Sequence, residues 1–113
     1  MQNIERELRE RALKEIIASR SVGEAEAETI FANCLLEAER HHAENPVRPN
    51  GPTKAHLATL EPASRAVCVA LAKSNRERLE SSHANAVAAT FMAHKSGITK
   101  ATADQLAAAV TGS

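Results

Sequence analysis

Alanine supplies 23 of the 49 apolar side chains in this 113-residue chain, and that bias decides most of what the chain can become. Alanine has the best helix propensity, worth up to ~1 kcal/mol per position over glycine. Its small surface contributes little on burial at roughly 25 cal/mol per Å². Phe31 and Phe91 are the two aromatic residues, and Trp and Tyr are absent. Such a composition suits thin helices that approach one another closely, or that pack against another subunit, and a chain of this length holds one domain of them.

The spacing of the larger apolar residues divides the chain into helices. Residues 3–19 place Ile4, Leu8, Ala12, Leu13, Ile16 and Ile17 on a broad stripe of a charged helix. Ser21-x-x-Glu24 reads as a capping box for a second helix. That helix aligns Ala27, Ile30, Phe31, Cys34, Leu35, Ala38, His41 and His42 and stops at Asn45, because Pro46 cannot continue it. Asn45 to Pro52 holds three prolines and a glycine and is a linker. Thr53 caps two turns that break at Glu61-Pro62, and Pro62 suits the first turn of the next helix. That helix should run to about Leu79, with its all-round apolar stretch Ala66–Ala72 at the buried centre of the domain, although Val67-Cys68-Val69 also fits a short strand. Ser82 should cap a further helix carrying Ala84, Val87, Ala88, Phe91 and Met92 inward. Gly97 supplies a left-handed stop, and Thr99 or Thr102 caps the last helix.

The expected architecture is therefore all-α, a compact bundle of five or six short helices with no sheet. It is read as a single domain over 1–113, with an acidic helical pair at 1–45, a Pro/Gly linker at 46–52 and a basic helical half at 53–113. Residues 1–45 carry 6 basic and 10 acidic side chains, and residues 46–113 carry 8 and 4. Opposite charges of this kind attract, within one chain or between two.

Chemical signatures are few. Glu39-x-x-His42 and Glu80-x-x-His83 have the spacing found in carboxylate-bridged di-iron bundles, but the bridging glutamates of two further helices are missing and the second pair straddles the expected break at Ser81-Ser82. No metal site follows. The four glycines never cluster and Asp104 is the single aspartate, so neither a phosphate loop nor a nucleophile elbow is present. Cys34 and Cys68 sit in apolar helical stretches and read as core thiols. The chain is expected to be no enzyme, to hold no cofactor and to have no evident small-molecule substrate. Charge begins at Glu5 and no apolar run approaches the ~20 residues of a membrane span, which sets a cytoplasmic, membrane-free expectation.

One segment goes beyond packing. In Met92-Ala-His-Lys-Ser-Gly-Ile-Thr-Lys-Ala-Thr-Ala-Asp-Gln-Leu106, Ala93 is the small residue, Gly97 the turn four positions on, and Ile98, Ala103 and Leu106 the apolar seats of a second helix. This pattern resembles the helix-turn-helix of bacterial repressors, over about 20 residues. The resemblance implies a DNA-contacting helix capped by Thr99. Lys95, Thr99, Lys100 and Gln105 would be the contact residues, with Gln105 suited to adenine and Lys100 to guanine or phosphate. The segment has only Lys95 and Lys100 for phosphates, and Asp104 opposes them.

Two functions follow from these residues. The leading one is a non-catalytic helical adaptor, inhibitor or regulator that binds a protein, expected as a homodimer through a seam of Ile4, Leu8, Leu13, Ile16 and Ile17 on the first helix. The alternative is a helix-turn-helix transcriptional regulator with DNA as partner. In either case far-ultraviolet circular dichroism should be dominated by helix, and a strand-dominated spectrum would contradict the periodicity.

Overall fold

A computed structural model describes residues 4–47 and 51–112, apart from the side chain of His94. Arg48, Pro49 and Asn50 of the expected linker lie outside the described residues. Those described form α1 (Arg6–Arg20), α2 (Glu24–Glu44), α3 (Lys54–Ala58), α4 (Pro62–Met92), a 3-10 turn (Ala93–Lys95) and α5 (Lys100–Thr111), and they include no strand. The all-α expectation holds.

The ends of the helices follow local chemistry, with one correction. Thr53 accepts from the His56 amide at 3.1 Å and Thr99 from the Thr102 amide at 3.4 Å, each satisfying an amide the helix start leaves open. Asn45 closes α2 before Pro46. The Ser21-Glu24 capping box does not form. Ser21 instead takes the left-handed conformation that ends α1, at φ 54°, and Gly23 precedes α2 without a side-chain cap.

The chain divides into two units, 1–46 with 84–113 and 47–83. The C-terminal residues of the basic half thus group with the acidic helical pair in the first unit. In the first unit α1 lies against α2 and α5, and α2 against α5. The core joins Leu8, Ala12, Leu13 and Ile16 to Phe31, Cys34, Phe91, Ile98, Leu106 and Val110, with further alanines at 27, 38, 88, 103 and 107. These alanines are where helices come close, and Phe31 and Phe91 fill what they leave. Leu8, Leu13 and Ile16 of the expected dimer seam are thus buried inside one chain, and Ile4 and Ile17 pack against the same core. The wide stripe on α1 faces two neighbours, α2 and α5.

The second unit is built differently. The Arg65 guanidinium donates to the carbonyls of Leu57 at 2.9 Å and Leu60 at 3.1 Å, satisfying acceptors at the end of α3. No described residue from 47 to 83 is buried. The stretch Ala66–Ala72, expected at the centre of the domain, is mostly exposed: Val67 is 59%, Val69 48% and Leu71 60% accessible, while Ala72 and Cys68, expected as a core thiol, are half-buried. Fewer than ~40 residues rarely enclose a core, and α3 is too short to cover a helix of this length. The expected break at Ser81-Ser82 is also absent, since α4 runs unbroken from Pro62 to Met92. Serine weakens a helix by only a few tenths of a kcal/mol, about 0.5, and neither proline nor glycine stands there to stop it.

Phe91 is fully enclosed, so Phe91→Ala should destabilise by about 3–5 kcal/mol in denaturant titration. Leu71→Ala in dilute solution should stay within about 0.5 kcal/mol. Equal effects would mean that the two positions share one environment.

Candidate functional site

The residues proposed from the helix-turn-helix pattern lie where α4 turns into α5, and α1 holds that turn. Three residues of α1 spaced by four, Arg11, Glu15 and Ser19, fall on one line along the helix. Each meets a different part of the turn or of α5. The Arg11 guanidinium donates to Gln105 Oε1 at 2.6 Å. Glu15 Oε1 accepts from the Thr99 amide at 2.9 Å and the Thr99 hydroxyl at 3.0 Å, and Glu15 Oε2 accepts from the Thr102 hydroxyl at 2.6 Å. The Ser19 hydroxyl donates to the Gly97 carbonyl at 3.3 Å.

The turn itself is shaped by two residues. Gly97 has φ +90°, and a Cβ there would come within 2.7 Å of Ser19 Cβ, so both conformation and space require glycine. Ser96, 1% exposed, donates to the Phe91 carbonyl and accepts from the Ile98 amide, satisfying backbone groups where α4 ends. Lys95 precedes them in the left-handed region at φ 52°.

Of the four proposed DNA-contact residues, Thr99 and Gln105 are therefore engaged by α1. Lys100 pairs with Asp104 one turn on, Nζ to Oδ2 at 2.9 Å, and Lys95 is exposed at the turn. The sequence pattern located the turn and the cap of α5. It missed the three α1 partners, because nothing in local spacing links residues 78 to 94 positions apart. The only trace is that Arg11, Glu15 and Ser19 recur at four-residue intervals beside the apolar stripe of α1.

Desolvation works to raise the Glu15 pKa, but the hydrogen bonds from Thr102 and Thr99 and the charge of Arg11 outweigh it and hold the carboxyl below its ordinary value. The Cys34 thiol moves the other way: burial raises its pKa and the Glu37 charge adds to that, against smaller opposing effects of Arg20 and Ser96. Cys34 borders a cavity of about 220 Å³ lined by Arg20, Ile30, Asn33, Glu37, Ala93 and Ser96. A thiol so placed stays protonated at neutral pH and is a poor nucleophile. Among the described residues no three His, Cys, Asp or Glu side chains gather to hold a metal. No described helix is long and apolar enough to cross a membrane.

Comparison with protein-family models, with curated proteins and with solved structures finds no match for this chain.

Glu15→Ala removes the acceptor of the nearly buried Thr102 hydroxyl and should destabilise by about 1–3 kcal/mol. Because the folded pKa is lowered, the Glu15 contribution is complete above the unfolded carboxylate pKa and disappears as pH falls through the folded value. The variant should therefore lose part of the acid-side decline in stability of the wild type. Denaturant titrations across that pH range, with parallel curves for the two proteins, would contradict this role.

Proposed function

We propose that this chain is a non-catalytic helical protein that works by binding a protein partner, through the outward side of α4 between residues 62 and 83. The observation that carries this reading is the exposure of Val67 and Leu71, neighbours on one side of a helix segment with no buried described residue. Apolar side chains grouped on one element and left in water mark interaction surfaces more often than scattered ones do. The end of α4 beyond residue 83 belongs to the first unit, where Val87, Ala88 and Phe91 are buried.

The hydrogen bonds that Gln105 accepts from Arg11 and that Thr99 donates to Glu15 favour this reading over DNA recognition. A recognition helix needs those side chains free to meet base edges. Here they join α5 to α1, and Lys100 meets Asp104.

A photoreactive amino acid at Leu71 should give covalent adducts with a protein, and one at the buried Val87 should give none outside the chain. Absence of any Leu71 adduct would overturn the reading. In a salt titration with duplex DNA the wild type should show no binding at physiological ionic strength. Salt-dependent binding that weakens in Lys95→Ala and Lys100→Ala would favour the DNA alternative.

A further inference from the structure

The identity of the partner follows from a second exposed strip, on α2. Ala27, Phe31, Cys34 and Ala38 turn one side of that helix into the core. The opposite side presents Ala25, Thr29, Ala32, Leu36 and Ala43, all exposed, with Leu36 at 69%. Intervals of four, three, four and seven residues keep them on one line, as in the seam of a helix pair. Glu28 and Glu39 run along one edge of the line and Glu26 and Glu44 along the other, at 100° per residue. The whole of α2 holds six glutamates against Arg40, a net −5 with histidines neutral.

The outer side of α4 carries a strip of the same kind and the opposite charge. Ala63, Val67, Ala70 and Ser74 follow at intervals of four, three and four, with Leu71 beside them and Lys73 and Arg78 at the edges. Residues 62–83 hold four basic side chains, Arg65, Lys73, Arg76 and Arg78, against Glu77 and Glu80, a net +2. Small side chains on both strips allow helix axes to approach to about 8 Å.

We infer that the partner is a second copy of this chain, with the α2 strip of each copy taking the α4 strip of the other. This rests on the protein-binding reading of α4 and names its occupant. Charge selects the pairing: α2 against α2 sets −5 against −5, and α4 against α4 sets +2 against +2, whereas α2 against α4 is attractive. Area selects the symmetry. The 22 residues from Pro62 to His83 form a strip ~33 Å long and ~10–12 Å wide, on the order of 350 Å². A stable interface needs roughly 800 Å² from each partner. One strip supplies about half of that, and a two-fold axis makes the contact twice, as isologous dimers do.

The test exchanges charges on the two strips of the full chain. Wild type should sediment as a dimer that dissociates as salt rises. The variants Glu28→Lys/Glu39→Lys/Glu44→Lys, which turns α2 to a net +1, and Lys73→Glu/Arg78→Glu, which turns residues 62–83 to a net −2, should each dimerise at least about tenfold more weakly. Both should keep wild-type helicity, since the positions replaced lie off the core. An equimolar mixture of the two should recover dimers containing one copy of each, because both of its contacts are again attractive. A wild type that stays monomeric at high concentration, or a mixture that recovers nothing, would overturn the self-pairing. If the Leu71 photoadduct then contains a different protein, the protein-binding reading survives without this one; if no adduct forms, both fail.

Discussion

The first unit depends on the carboxylate of Glu15. It lies between two helices distant in the sequence and accepts three hydrogen bonds, from the amide and hydroxyl of Thr99 and the hydroxyl of Thr102. These groups are the start of α5, where backbone amides carry partial positive charge and a nearby anion is stabilised. Arg11 and Ser19 extend the contact one turn in each direction, so α5 is fixed both in position along α1 and in rotation about its own axis. That rotation turns Ala103, Leu106, Ala107 and Val110 into the core. Alanine-rich faces are nearly smooth and specify register poorly, so polar contacts at the edge of the core set what packing leaves open.

Local signals in the sequence carried far. Thr53 and Thr99 as caps, Pro46 and Pro62 as boundaries and Gly97 as a left-handed turn all act within a few residues, and each is found where the spacing places it. Ser21 shows how local rules compete: the end of α1 claimed it before the start of α2 could. The helix limits at Ser81-Ser82 went wrong because serine is permissive in both directions, and Ala84 to Ala89 carries the helix through.

The larger discrepancy is Ala66–Ala72. An all-round apolar helix segment normally means enclosure on all sides, and periodicity alone cannot tell whether the covering elements belong to the same chain. Here α3 is a short helix tied to α4 by Arg65, and the other side of α4 faces solvent. The broad stripe of α1 is the opposite case. Ile4 to Ile17 looked too wide for one neighbour, and its width reflects α2 and α5 inside the chain. The candidate site shared this limit: the turn was legible, while Arg11, Glu15 and Ser19 were invisible as its partners because their contacts are all non-local.

The discontinuity of the first unit bears on how the chain is made. Its two pieces, 1–46 and 84–113, are separated by 37 intervening residues. During synthesis α1 and α2 leave the ribosome long before Thr99, Thr102 and Leu106 exist, so the face of α1 that will meet α5 stays uncovered until the last helix emerges. Helical proteins usually fold fast because their contacts are local. In this chain the decisive contacts join α1 to α5, and the nascent chain carries that face of α1 open until residues 99–110 have been made.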